Sequence, residues 1–224
     1  MARNRRLEAD LLKKRSGKTV VARKHAGVRK SRPSAKPAGV SGSAVFLVGF
    51  MGAGKSSVGR ALGQLLNWMF EDLDDRIEAR EGRTVAEIFR NAGESEFRRA
   101  ERAALEHVLR ELGGGGVRIV ALGGGAFVQK ENAALLKRSG VPTVFLDAPV
   151  EDLWERCCEA GVERPLLRSR EQFRKLYDTR SRSYSTATLK IQTGSRAVEA
   201  IAAEIADRLG LKKIELRTEQ GEVE

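Results

Sequence analysis

The run Ala44-Val45-Phe46-Leu47-Val48, continued by Gly49-Phe50-Met51-Gly52-Ala53-Gly54-Lys55-Ser56, decides the fold. Five apolar residues closed by a glycine predict a short strand buried on both faces. The next eight fit G-x-x-x-x-G-K-[ST], and Val58, Ala61, Leu62, Leu65 and Leu66 then recur at helical spacing. A glycine-rich turn between a buried strand and a helix curls successive backbone N–H groups around an anion. The helix N-terminus adds its partial positive charge. Gly52, Ala53 and Gly54 form the cradle and Lys55 reaches the β- and γ-phosphates. The Ser56 hydroxyl can ligate Mg²⁺, and Ser57 is placed to donate to an α-phosphate. The pattern implies a nucleoside triphosphate and a P-loop NTPase-type fold. A second G-K-T, Gly17-Lys18-Thr19, has neither the leading glycine nor a preceding strand and is read as chance.

Outward from this loop, strand and helix patterns alternate. Trp68–Leu73 reads as a strand, Asp75–Arg80 as a helix ended by Gly82, and Val85–Arg90 as a short helix. Glu94–Leu112 reads as a longer helix whose stripe is Phe97, Ala100, Ala104, Val108 and Leu112. Then come the strand Val117–Leu122, the triplet Gly123–Gly125, a helix around Glu131–Ser139 and the strand Thr143–Leu146. Helices over Val150–Cys158 and Arg170–Ser183, the strand Leu189–Gln192 and a helix over Ala197–Leu209 complete the pattern. Strands separated by helical crossovers predict a three-layer α/β/α domain with a central parallel sheet over residues 44–211. Residues 212–224 read as a polar, frayed tail.

Composition narrows the class. With 224 residues, 41% of them hydrophobic, the chain can bury one α/β core and is too apolar for wholesale disorder. Its longest apolar run, Ala44 to Ala53, is about half the ~20 residues of a membrane span. Cys157 and Cys158 are adjacent and cannot staple a secreted scaffold. With only His25 and His107 in the chain they cannot complete a zinc site either, so reduced thiols in a reducing cytosol are expected. The net charge of +11 is uneven. Residues 1–40 hold 13 Lys and Arg against Glu8 and Asp10, whereas the rest holds 28 basic and 28 acidic residues. The basicity therefore belongs to an N-terminal arm, residues 1–43, ending in the Ser/Pro/Gly/Ala-rich stretch Ser31 to Ser43. Three readings of the arm stay open: a solvated disordered segment, a weak polyanion contact, and an organelle transit peptide.

Three further clusters bear on what accepts the phosphate. Asp72 and Asp74, two apart at a strand end, share a face. If that strand lies beside the phosphate-loop strand, one carboxylate approaches the metal and the other a bound hydroxyl, ready to accept its proton. The alternative is that Asp74 or Asp75 caps the next helix. Arg98 has Glu101 three residues on. A guanidinium fixed this way is a bidentate carboxylate receptor, although the same spacing describes many solvated surface pairs. Gly123-Gly124-Gly125 after a buried strand lets backbone approach a ligand closely.

In order along the chain stand the phosphate loop, D-x-D, G-E-x-x-F-R-x-x-E (Gly93 to Glu101), G-G-G, R-P-L-L (Arg164 to Leu167) and R-x-x-x-Y (Arg180 to Tyr184). This series closely resembles the shikimate kinases over roughly residues 44–210. The resemblance implies transfer of the ATP γ-phosphoryl group to the 3-hydroxyl of shikimate. It implies Asp74 on the ring hydroxyls as the base, Arg98 and Arg180 on the shikimate carboxylate, and Gly124 offering its N–H. Arg164 would sit on a mobile lid and reach the ATP phosphates beside Lys55, and Asp72 would assist Mg²⁺ through water. The lid segment Cys157–Arg164 departs from the family in carrying Glu159 and Glu163. The loop Thr193–Arg196 lacks the proline that often lines the adenine pocket, which leaves Arg156 or Arg196 only a weak claim to adenine. His107 is expected on a solvated face, and a cytoplasmic monomer is expected. Two rivals remain: a ligand-sensing regulator whose arm touches nucleic acid, and a kinase of a related hydroxy acid. A complete set of Lys55, Ser56, Asp74, Arg98, Arg164 and Arg180 favours catalysis on shikimate, because a sensor need not keep it.

Overall fold

All five residues of β1 (Ala44–Val48) are buried, as a strand paired on both edges and covered on both faces requires. The computed structural model describes residues 44–159 and 169–215. Around β1 it assembles a five-stranded sheet in the order β2–β3–β1–β4–β5. The other strands are β2 (Met69–Asp72), β3 (Arg118–Ala121), β4 (Thr143–Asp147) and β5 (Leu189–Gln192). Every pairing is parallel, with Leu47 opposite both Ala121 of β3 and Val144 of β4.

The condition that β2 lie beside β1 is not met: β3 lies between them. The reason is polarity. β2 reads Met-Phe-Glu-Asp and none of its residues is fully buried, whereas Ile119, Val120 and Ala121 of β3 are all completely buried. A strand carrying two carboxylates suits the sheet edge, and the apolar strand takes the interior slot.

The helices are α1 (Lys55–Leu66), α2 (Leu73–Glu81), α3 (Val85–Gly113), α4 (Lys130–Ser139), α5 (Val150–Glu159), α6 (Arg170–Tyr184) and α7 (Val198–Leu209). A single 3₁₀ turn, Ala126–Val128, precedes α4. Thr84 and Glu87 form a capping box at the start of α3. The two helices expected over 85–112 are joined end to end within α3. Gly93, at φ 81° and ψ 177°, breaks the helical path between them, a conformation that costs glycine little. Among the described residues no helix is long and apolar enough to cross a membrane.

One ionic cluster ties together the elements that carry the site. Arg118 Nη1 meets Glu71 Oε2 at 2.9 Å and Glu111 Oε2 at 2.6 Å, while Arg76 meets Glu71 Oε1 at 2.5 Å and Glu111 Oε1 at 2.6 Å. The two guanidiniums pull the Glu111 carboxyl down to about 2. β2, β3, α2 and α3 are thereby stitched together. His107, 3.2 Å from Glu111, touches this cluster and is not simply solvated.

The start of the tail is held rather than frayed. Trp68 Nε1 donates to Lys212 O at 3.1 Å, Asn67 Nδ2 donates to Ile214 O at 2.9 Å, and Ile214 N donates to Leu66 O at 2.9 Å. The polar composition of 212–215 concealed these backbone acceptors. The arm 1–43, residues 216–224, and segment 160–168 with Arg164 and the R-P-L-L motif lie outside the described residues.

α1 lies unusually close to the sheet. A Cβ on Gly59 would fall 2.2 Å from Phe70 Cε2, inside the ring's van der Waals surface. Gly59→Ala should therefore destabilise the fold by roughly 1–3 kcal/mol through overpacking, net of the helix-propensity gain of about 1 kcal/mol. Urea melts measure this, and a variant as stable as its parent would show that Phe70 swings clear.

Candidate active site

The phosphate loop leaves β1 through Gly49, where a Cβ would lie 2.7 Å from Leu146 O, and passes Gly52, where one would lie 2.7 Å from Leu153 O. Backbone packs too tightly there for any other residue. α1 begins after Gly54, which holds φ 85°, with no side-chain cap and no acidic residue in its first turn. Its N-terminal N–H groups and dipole therefore face the loop unopposed by a carboxylate. Lys55 Nζ lies across the loop and donates to the carbonyls of Gly49 and Phe50, each at 3.1 Å. Ser57 is exposed beside it.

Asp72 unites two roles. Its Oδ2 accepts from Ser56 Oγ at 2.9 Å, and its Oδ1 accepts from Asp74 N at 3.1 Å, capping α2. The cap open to Asp74 or Asp75 is instead Asp72, two residues before Asp74, which leaves the Asp74 side chain for other work. Although β3 intervenes, the carboxyl end of β2 still reaches Ser56, because Ser56 sits at the start of α1 above the strand ends.

Asp74 points its carboxylate against the glycine triplet. Its Oδ1 is buried without a hydrogen-bond partner, and a Cβ on Gly123 would lie 2.7 Å from it. Burial and then the neighbouring Asp72 push the Asp74 carboxyl up to about 6, against the pull of Lys55. Gly125 does for Arg98 what Gly123 does for Asp74: a Cβ there would lie 2.6 Å from Arg98 Nη2. The triplet was expected to admit a ligand. Two of its three glycines instead make room for protein side chains.

Arg98 is fixed from both sides. Its Nη1 donates to both oxygens of Glu101 at 3.0 Å, and its Nη2 donates to Glu94 Oε1 at 3.0 Å. Glu101 is fully buried, which separates this pair from a surface i,i+3 pair; burial pushes its carboxyl up to about 7 while Arg98 opposes the rise. Arg180 arrives from α6, its Nη1 3.3 Å from Gly124 O, which also accepts from the buried Tyr184 hydroxyl.

Two adjoining cavities result. One of about 270 Å³ is lined by Gly52, Gly54, Lys55, Ser56, Ser57 and Asp72. The other, of about 190 Å³, is lined by Val85, Phe89, Phe97, Arg98, Glu101 and Arg180. Met51, Asp74, Gly123 and Gly124 line both. A larger recess of about 490 Å³ lies beneath α4, where Lys137 brings the sole charged group, and carries no comparable chemistry. Val85, Phe89 and Phe97 were not read from the sequence as site residues. Phe89 and Phe97 meet across the Gly93 break, ring centres 4.6 Å apart, and that break was the available signal. Arg156 donates to Gly194 O at 2.5 Å, bridging from α5 to the β5–α7 loop, while Arg196 pairs with Glu204 at 2.7 Å. Among the described residues no cluster of three or more His, Cys, Asp or Glu could hold a metal, and Cys157 is buried against Gly52.

The family model for shikimate kinase matches residues 51–210. The shikimate kinase of Persephonella marina is 38% identical over 166 residues, covering 74% of this chain and 98% of its own length. That of Geobacter sulfurreducens is 41% identical over 168 residues, covering 74% and 90%. Among solved structures, shikimate kinase from Acinetobacter baumannii in complex with shikimate superimposes with a TM-score of 0.68 at 34% identity, covering 75% of this chain and 92% of that one. Shikimate kinase from Aquifex aeolicus gives 0.65 at 32% identity, covering 75% and 96%. The chain belongs to the shikimate kinase family.

Asp74 has its pKa raised on folding, so above about pH 6 the folded protein bears the cost of a charge that burial disfavours. Were Asp74 to act as a base, it would be competent only when ionised. Activity should fall as pH drops through about 6. Asp74→Asn should be at least as stable as the parent at pH 8 while kcat falls on the order of 10²-fold. Thermal melts and initial rates on one preparation check both halves, and a variant that keeps its rate removes Asp74 from proton transfer.

Proposed function

We propose that this chain transfers the γ-phosphoryl group of ATP to the 3-hydroxyl of shikimate, giving shikimate 3-phosphate and ADP. One observation carries the reading: the phosphate cavity and the arginine-lined cavity share Asp74 as a common wall. An acceptor hydroxyl held at that wall faces a phosphate on one side and a carboxylate base on the other. Gly52, Ala53, Gly54, Lys55, Ser56 and Ser57 cradle the nucleotide, and Arg164, which lies outside the described residues, is assigned to its phosphates. The shikimate carboxylate lies between Arg98 and Arg180, with the Gly124 N–H toward the ring. Asp74 accepts the hydroxyl proton as oxygen bonds to the γ-phosphorus and the bond to ADP breaks.

Mg²⁺ suits the donors present. Ser56 Oγ and Asp72 Oδ2, 2.9 Å apart, are hard oxygen ligands at the phosphate end of the cavity. Asp72 is already engaged with Ser56 and with Asp74 N, and would reach an ion through water. When bound, the ion neutralises charge on the β- and γ-phosphates. Val85, Phe89 and Phe97 give the acceptor cavity an apolar wall that excludes water competing for the phosphoryl group. The protein acts as a cytoplasmic monomer, and the arm makes at most weak polyanion contacts.

A coupled ADP-release assay with shikimate, quinate and gluconate side by side should show turnover concentrated on shikimate. Faster turnover of either other acid would shift the assignment to a related hydroxy acid, and no turnover would favour a ligand sensor. Arg98→Lys keeps the charge but loses the fork, so its cost, about 1.5–3 kcal/mol, should appear largely in the shikimate KM. An increase confined to the ATP KM would break the assignment of Arg98 to the acid.

The matched relatives are covered nearly end to end by about three quarters of this chain, which supports a catalytic unit without the arm. Deleting residues 1–40 should leave kcat/KM for shikimate within about threefold, a barrier change below roughly 0.7 kcal/mol. It should also abolish salt-sensitive retention on a polyanion column. A folded but inactive truncation would show that the arm serves the reaction.

A further inference from the structure

Position 50 is unconstrained in the phosphate-loop pattern, yet here it holds a phenylalanine that is only 1% exposed. Its backbone belongs to the nucleotide side, since Phe50 O accepts from Lys55 Nζ. Its ring belongs to α6. Phe173, Tyr177, Arg180 and Tyr184 are spaced i, i+4, i+7 and i+11 and share one helical face. The Phe50 ring stands edge-on to Phe173 at 5.0 Å and to Tyr177 at 5.5 Å, and the Arg180 guanidinium lies 5.9 Å from its centre. Phe173 is backed by Trp154 at 5.2 Å, and Tyr177 is anchored by its hydroxyl to Asp147 at 3.1 Å. The ring is therefore held on several sides and cannot turn away from the guanidinium.

The two arginines of the acceptor cavity differ in their support. Arg98 is gripped by two glutamates. Among the described residues Arg180 forms no ion pair with a carboxylate, and its direction rests on the Gly124 carbonyl, the Tyr184 hydroxyl and the face of Phe50. We propose that Phe50, although part of the phosphate loop, is the positioning residue that seats Arg180 for the carboxylate of the acid substrate. This rests on the function proposed above. A cation–π seat aims a guanidinium without neutralising it, so its full charge stays available to an anion. The aromatic face of α6 fixes the helix against the loop, so the same ring sets where Arg180 emerges.

The test is steady-state kinetics on the full chain, with shikimate and ATP varied separately for the parent, Phe50→Met, Arg180→Lys and the double variant. Phe50→Met nearly conserves volume and removes the ring. It should raise the shikimate KM about tenfold and leave the ATP KM within about twofold. In the Arg180→Lys background the same change should have little further effect, because it acts through Arg180. Should Phe50→Met fail to fold by thermal melting, Phe50→Leu carries the same expectations. An ATP KM that rises as much as the shikimate KM would overturn the inference, since the ring would then merely shape the loop. An undiminished effect in the Arg180→Lys background would overturn it as well. A parent inactive on shikimate defeats the function reading first, before any variant is compared, and the inference with it.

Discussion

A carboxylate kept where water cannot fully solvate it sets the terms for the rest of the site. Asp74 must be charged to accept a proton, yet burial favours its neutral form. Only part of that penalty is offset. Asp72 caps α2 and so places Asp74 in the first turn, where the helix dipole favours a negative charge. Lys55 lowers the Asp74 pKa from across the cavity, while Asp72 raises it. The outcome, about 6, leaves a carboxylate ionised near neutrality yet able to take up a proton, as the proposed base would require. Gly123 must be glycine because the carboxylate lies where its Cβ would be. The ionic cluster of Glu71, Arg76, Glu111 and Arg118 holds α2 against α3, so Asp74 and Arg98 keep one spacing.

The elements of the fold were legible because each is a local pattern. Buried β1, the glycine stop at Gly82 and the interruption at Gly93 all follow from neighbouring residues. Strand order is not local. That β3 separates β1 from β2 follows from which strand can tolerate full burial, and only comparison of Glu71 and Asp72 with Ile119 and Val120 carries that information. Within the site, the phosphate loop was legible to the residue because its chemistry depends on consecutive backbone groups. The Arg98–Glu101 spacing was visible, but the burial that distinguishes it from a surface pair arises from packing across the sheet. The glycine triplet was legible as a close approach, but not as a seat for Asp74 and Arg98, whose side chains reach it from α2 and α3. Lys212 to Ile214 escaped notice because they are held by backbone acceptors, which side-chain composition does not report.

The acceptor cavity divides its electrostatic work between two unlike arginines. Arg98, paired with Glu94 and Glu101, is held firmly in place, but its counter-charges weaken its pull on an incoming carboxylate. What it retains is geometry: a planar fork pointing in a set direction. Arg180, seated on an aromatic face, a carbonyl and the Tyr184 hydroxyl, forms no ion pair among the described residues and has less to orient it. A site with two arginines of the first kind would be well shaped and weakly attractive. Two of the second kind would be attractive but loosely aimed, and with no glutamate nearby they would draw the Asp74 carboxylate toward themselves. On the proposed function, pairing one of each would let the cavity bind an anion at one end while Asp74 at the other keeps a raised pKa.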